Sequence, residues 1–458
     1  MKTIHRIGIV AIATAFLLAF YHLFPSSAFL SSADHPSDAS SLFKPHLIQY
    51  KPLNTSNGFT IPELLDLCHY GNHLHISRKT VLGGNRDALG HDFLNSCYPI
   101  EITTSQGGRS MGHCSDFAQY IYHGDARLSL DFGRDIYTRK IQNCPDSIYL
   151  HGEYLTDPLI YPADGNKKPR NVWLPNLEQI NKSQMKYFQE MEAILCKTKI
   201  TCTAVEMYLK SEEYMGGLVK PKVIYMSHST PDPVQDLEKL LGKSEMNKLK
   251  QDFNGFFHSY GHSGRKRTIQ LYDCWSAHPK WPTLTLVGNS DEVGFVMRHW
   301  TEERRKNFKP PKYYSFPKNI KVHTRVSLAQ LRKLQFSNGV HICPSQQEGY
   351  GHYINEGRAV GALVVTTDWA PMNEFVENGN GVLINHEPPK AEAYQGMASY
   401  FISPASATPN HICKAIERVL ELDIKVRQEM GRKSREAYET DTRIMIAKIR
   451  DLVEGKII

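Results

Sequence analysis

Short runs of consecutive apolar residues, each closed by a glycine, a proline or a polar turn, recur along most of the chain. From residue 146 they fall at 147–151 (SIYLH), 171–174 (NVWL), 193–196 (AILC) and 222–226 (KVIYM). After a charged, helix-like stretch at 235–252 the cycle restarts at 255–259, 283–287, 321–324, 340–343 and 362–366. Strands buried on both faces read as continuous apolar runs, whereas a half-exposed strand alternates. Between these runs, residues 183–191, 203–209, 268–277, 328–336 and 353–360 carry helical spacing. Strands alternating with helices at this interval predict parallel, helix-covered sheets, one for each cycle.

The fold class is therefore α/β. A first domain is expected over 51–235, a second over 253–405, and charged helices over 406–458 that cross back to the first. Less pattern shows between 51 and 145. Residues 61–68 read as helix and 98–103 as strand, and glycines at 83–84 and 107–108 mark turns. No motif there names a chemistry.

The amino terminus reads differently. Lys2 and Arg6 precede an apolar run at 7–24, broken only by His22, and then a Ser/Pro/Asp-rich stem at 25–50. The run is near the lower length limit of a membrane-spanning helix, and the preceding cations favour a cytoplasmic amino terminus. A signal-anchor at 1–24 is expected, giving a single-pass type II protein of the Golgi or ER membrane with its catalytic part in the lumen. Ser26-Ser27-Ala28 offers a competing signal, and cleavage after Ala28 would give a secreted protein. Nine cysteines suit a lumenal location. Cys68, Cys97, Cys114 and Cys144 lack a C-x-x-C pair and histidines at zinc spacing, so disulfides are expected rather than a metal site. Asn54 and Asn181 begin sequons that a lumenal glycoprotein would carry.

Composition adds little. Hydrophobic and charged fractions of 41% and 22% are those of a globular protein. The net charge of +7 comes without a Lys/Arg block, which argues against a nucleic-acid partner.

Candidate chemistry gathers between 342 and 374, ICPSQQEGYGHYINEGRAVGALVVTTDWAPMNE. Gly349 and Gly351, either side of Tyr350, let the backbone approach a ligand closely. The helix beginning near His352 and Tyr353 presents unpaired amides and the positive end of its dipole, suited to a diphosphate. Glu348 can accept hydrogen bonds from sugar hydroxyls, and Glu356 from vicinal hydroxyls such as those of a ribose. Glu374 follows Asp368 and Pro371, placed to support this loop. A second loop between strand and helix holds Gly261, Ser263, Arg265, Lys266 and Arg267, cations able to neutralise a diphosphate. His151 and His228 end apolar strands, as do Asn176 and Glu178 at lower weight. The competing readings are a solvated helix start, a solvated basic turn and histidines that serve only the core.

In register, these residues resemble a known family. Glu348 and Glu356 in the E-x7-E spacing, then Gly361, Val364, Val365, Thr366, Asp368, Pro371 and Glu374, are similar to the donor half of the family 4 retaining glycosyltransferases of the GT-B fold. The match is specific over about 40 residues, looser over roughly 255–385 and faint over 146–230. The resemblance implies two Rossmann-like domains with a cleft between them. It also implies that Glu348 holds the donor sugar, Glu356 the ribose, and the amides of 351–353 the diphosphate. Lys266, in a G-x-S-x-x-K-x-T arrangement, looks like the family's phosphate-binding lysine, with Arg265 as a second candidate. His151 is similar in placement to a histidine presented to the sugar from the first domain. Gly357-Arg358 departs from the family's small residue after the second glutamate, and the usual glycine loop of the first domain is not evident.

The implied reaction is retaining transfer of a hexosyl group from a UDP- or GDP-sugar to a glycan or other hydroxyl acceptor. The nucleotide sugar is substrate and no cofactor is expected. No metal is expected either, because there is no D-x-D motif and Lys266, Arg265 and the helix amides would stabilise the leaving group. The alternatives are a sugar-nucleotide epimerase of the same fold and a catalytically silent carbohydrate-binding protein.

Overall fold

A computed structural model describes residues 58–70, 75–78, 81–82, 96–104, 111–130, 141–153, 155, 169–180, 182–211, 214, 220–261, 263–288, 317–324, 326–377, 379–387, 405 and 407–458. The chain divides into two compact units, Met1–Ser56 and Asn57–Ile458, and everything described here belongs to the second. The expected anchor and stem, Ala28, Asn54 and Asn181 lie outside the described residues. Among the described residues, no helix is long and apolar enough to cross a membrane.

Two sheets carry the unit. The first has the strand order β2-β1-β4-β3-β5-β6-β7-β8, built from β1 (His75–Ser77), β2 (Val81–Leu82), β3 (Ile100–Thr104), β4 (Arg127–Leu130), β5 (Ile148–Gly152), β6 (Arg170–Leu174), β7 (Ala193–Cys196) and β8 (Lys222–Tyr225). Its only antiparallel pairings are those of β1, with β2 and with β4. The second is wholly parallel, in the order β11-β10-β9-β12-β13-β14. Its strands are β9 (Asp252–Gly261), β10 (Leu284–Gly288), β11 (Ile320–Thr324), β12 (Asn338–Cys343), β13 (Leu363–Thr367) and β14 (Gly381–Ile384). Every residue of β5, β7, β12 and β13 is buried, which is why none of them alternates between an apolar and a solvent-facing polar side.

The helices are α1 (Ile61–Tyr70), α2 (Met111–Gly124), α3 (Lys199–Lys210), α4 (Pro233–Leu241), α5 (Thr268–Ala277), α6 (Leu328–Ser337), α7 (His352–Ala359), α8 (Pro409–Glu421) and α9 (Ile424–Val453). Local chemistry starts several of them. Ser327 and Gln330 form a capping box on α6, as Thr408 and His411 do on α8, while the Asp232 side chain accepts from the Val234 amide at the head of α4. The second core packs Phe256, Trp275, Leu284, Val340 and Val365 with Ile412 and Ile416 of α8. Full burial of one such side chain contributes about 1.5–3 kcal/mol.

Three expectations change. The helix expected at 183–191 is broken into a turn at Lys182–Met185 and a 3-10 turn at Phe188–Glu190. Phe188 is turned edge-on to Trp173 with ring centroids 5.6 Å apart, and Gln184 bonds both backbone groups of Leu155. The charged stretch at 235–252 breaks at Gly242 (φ +83°) between the helix ending at Leu241 and one further helical turn at Lys243–Met246, and its last residue already belongs to β9. In the region without a readable pattern lies α2, none of whose residues is exposed, so no polar face reveals its period. Disulfides Cys68–Cys114 and Cys97–Cys144 tie this region together, and Cys274–Cys413 joins α5 to α8.

The last helix connects the two sheets. Gly431 of α9 lies on the Gly361 carbonyl, where a Cβ would have no room. Further along, the Tyr438 hydroxyl donates to the Thr230 carbonyl (2.8 Å), and Asp441 and Thr442 bond Ser227 (2.7 Å) and Ser229 (2.6 Å). α9 thus begins on the second sheet and ends on the first.

Candidate active site between the two sheets

The carboxyl ends of both parallel sheets meet here, the position where α/β folds bind ligands. On the donor side, β12 leads through Ser345 into the glycine loop. The Ser345 hydroxyl donates to the Glu348 carboxylate and lies 2.6 Å from the Tyr353 hydroxyl, which fixes the loop against the first turn of α7. Gly351 takes φ +96°, a left-handed conformation that glycine adopts without strain, and no side chain caps α7. The helix start therefore keeps its orphan amides for a ligand. Lys266 stands 4.1 Å over the Tyr353 ring and donates to the Ser259 carbonyl (3.2 Å). Arg265 is exposed, and its carbonyl accepts from the Gln346 amide (2.9 Å), so the basic loop is tied to the glycine loop. Gly261, at φ +52°, faces open space, and Ser263 leads into the short turn that holds both cations.

The facing wall comes from the first sheet and contains what the sequence did not disclose. Asp116 of α2, 2% exposed, receives Lys197 (2.5 Å), His228 (2.6 Å) and His352 (3.0 Å). Lys197 also donates to Asn176 (2.8 Å), Asn176 donates to Glu153 (2.9 Å), and Glu153 pairs with His113. Burial alone would raise the Asp116 carboxyl, but Lys197, His352 and His228 hold it well below the usual carboxylate range. Burial lowers His228, with Asp116 opposing. His352 is the link between the walls, since it belongs to α7 yet reaches Asp116 and Thr230 (3.3 Å). Tyr350 does likewise, its buried hydroxyl donating to the His228 carbonyl (2.6 Å). Gly349 presses on Asn176 and Glu178 so closely that a Cβ there would lie 2.7 Å from the Asn176 Cβ.

Glu348, Lys266, Arg265, Gly261, Ser263, Gly349, Tyr350, Gly351, His352 and Tyr353 thus gather around one cleft. Three others sit elsewhere. His151 is fully buried within the first sheet, bonded to Thr103 (3.0 Å) and Asn171 (2.9 Å), and burial lowers its pKa to about 4. The catalytic reading of His151 is corrected to a core histidine, because both ring nitrogens are satisfied inside the sheet. Both Glu356 oxygens turn inward, to Arg332 (2.9 Å) and Gln335 (2.8 Å), with Asp236 on the far side of the same guanidinium (3.1 Å). Glu374 does not support the glycine loop. It accepts from the Lys199 (2.7 Å) and Ile200 (2.8 Å) amides, capping α3 on the side of the first sheet.

Of the residues missed, Lys197 had a readable signal, a cation immediately after the buried AILC strand. Asp116 and His113 sit on a helix whose period is hidden by burial, and nothing local marks them.

No protein-family model matches the chain, and no curated protein sequence matches it. Solved structures do. A glycosyltransferase from Rickettsia africae aligns at a TM-score of 0.54 and 13% identity, covering 78% of this chain and 98% of that one. The α,α-trehalose 6-phosphate synthase of Burkholderia multivorans aligns at 0.52 and 10% identity, covering 79% and 99%. Anabaena HepE in complex with UDP and glucose aligns at 0.52 and 14% identity, covering 78% and 99%. The chain has the GT-B fold of glycosyltransferases, in the two-sheet form described above.

Proposed function

We propose that this protein transfers a glycosyl group from a nucleotide-diphosphate sugar to a hydroxyl acceptor, with retention at the anomeric carbon. One observation carries the reading: the uncapped start of α7 opens into the cleft between Glu348 and the cations Arg265 and Lys266. Amides and cations suit a diphosphate whose charge grows as the sugar leaves, and Glu348 suits the sugar's hydroxyls. UDP is the first nucleotide to test, because HepE was solved with UDP and glucose and a similar structure from E. coli with UDP-2-fluoro glucose. A hexosyl donor, a glycan acceptor and leaving-group stabilisation without a metal are parts of the same proposal.

The proposed location is the lumen of the Golgi or ER, behind a signal-anchor at 1–24. The cations and apolar run at the amino terminus support it, and disulfides Cys68–Cys114 and Cys97–Cys144 suit an oxidising compartment. Sequencing the mature amino terminus tests this, since a chain beginning after Ala28 would mean secretion. For the activity, the test is release of UDP or GDP from a panel of nucleotide sugars. Binding without release would favour a silent carbohydrate-binding protein, and isomerised donor would favour an epimerase.

A further inference from the structure

Where α9 crosses from one sheet to the other, it lines a cavity of about 630 Å³, a volume typical of small-molecule sites. The other walls are the end of β8 (Tyr225 and Ser227), the start of α3, the end of α7 and the turn after β13. None of the residues lining it belongs to the cleft described above. Two of its wall side chains are buried yet incompletely bonded. Arg358, 3% exposed, donates to Asn355 (2.6 Å) and Asp441 (2.7 Å) through its two terminal nitrogens. Its Nε has no hydrogen-bond partner among the described residues. Asn380, 5% exposed, donates to the Phe375 carbonyl (3.3 Å), while its Oδ1 has no partner among them either. A buried donor or acceptor left unpaired is costly, and native proteins keep few of them. Here one of each stands in the wall of a single cavity.

The charges around the cavity narrow the ligand. Three cations and four carboxylates line it, and most are paired within the protein. Lys199 holds Glu377 (3.2 Å), Arg358 holds Asp441, Arg432 holds Glu436, and Glu374 caps α3. Neither sign is left in clear excess, so a phosphate or an amine gains little here. A hydroxyl group both accepts and donates, and so suits the unused Arg358 N–H and the unused Asn380 oxygen alike. Phe375 and Tyr225 add aromatic surface, which suits the C–H face of a sugar ring. The geometry points to a second carbohydrate site, for a neutral hexose unit, lying outside the transfer cleft and independent of the reaction there.

The test titrates glucose, galactose and mannose into the full chain by ligand-observed saturation-transfer NMR, with UDP present throughout. Each sugar is compared with its 6-phosphate and its 2-amino counterpart. At least one neutral sugar should bind with a Kd of about 1–10 mM, the scale for a ligand of this size, and more tightly than its charged counterparts. Ala437→Phe fills the cavity from the half-buried face of α9, and should weaken that sugar about tenfold or more at unchanged Tm. Asn380→Ala should weaken it about 2- to 10-fold. Sugar binding unchanged in Ala437→Phe would place the sugar in the cleft and overturn the proposal. So would failure of all three neutral sugars to bind, or tighter binding of the charged counterparts.

Discussion

Replacing Asp116 by alanine removes the one carboxylate shared by Lys197, His228 and His352. Lys197 is 3% exposed and would be left as a buried ammonium whose remaining hydrogen bond among the described residues is to the Asn176 amide oxygen. Breaking a buried ion pair from one side costs about 3–5 kcal/mol, because the remaining charge can neither ionise cheaply nor reach water. With about 2–4 °C of Tm per kcal/mol for a domain of 150–250 residues, the loss is roughly 6–20 °C. Urea unfolding followed by tryptophan fluorescence, with thermal unfolding as a second readout, measures it. Adding Lys197→Met should restore more than half of the loss, because neither charge then remains. A penalty below about 1 kcal/mol for Asp116→Ala would refute the reasoning. So would a double variant no more stable than the single one.

Gly349→Ala should weaken the seating of the donor loop on Asn176 and Glu178 by about 1–3 kcal/mol, the cost of overpacking, and lower nucleotide release by about 5- to 150-fold. Unchanged release would mean the two walls do not meet this closely during turnover. Glu374→Ala should cost about 0.5–2 kcal/mol and speed hydrogen exchange at the amides of α3, with UDP affinity unchanged; a tenfold loss of affinity would place Glu374 at the donor instead. The His151 pKa is about 4, whereas an unfolded histidine takes its proton near 6.5. Its contribution to stability is therefore complete above pH 6.5 and falls as pH drops, by about 2 kcal/mol at pH 5. NMR of the His151 ring should show it neutral at pH 5, and titration near 6.5 would contradict its burial between Thr103 and Asn171.

Much of the fold was legible because parallel strands leave a plain record. The runs at 193–196 and 268–277 appear as β7 and α5 with the same bounds, and most others shift by a residue or two. What was not legible was governed by tertiary contact. The helix expected at 183–191 breaks where Phe188 turns to Trp173, and α2 shows no period because it has no exposed face. The site divides in the same way. The donor loop is contiguous in sequence, so its glycines, carboxylate and helix start could be read from spacing. The facing wall joins residues 113, 116, 153, 176, 197 and 228 across five separate segments, and only folding brings them together. His151 misled because the end of a strand is where catalytic groups and core hydrogen bonds both occur.

Lys266 offers the most direct test of donor binding. Its ammonium lies over Tyr353 at the start of α7, where the leaving diphosphate would gather charge, and its side chain holds no ion pair among the described residues. Nucleotide release from the donor panel, measured for wild-type protein and for Lys266→Ala of equal Tm, should show turnover in the first and a loss of about 100-fold or more in the second. Equal turnover in the two proteins would contradict the placement of the diphosphate at this helix start.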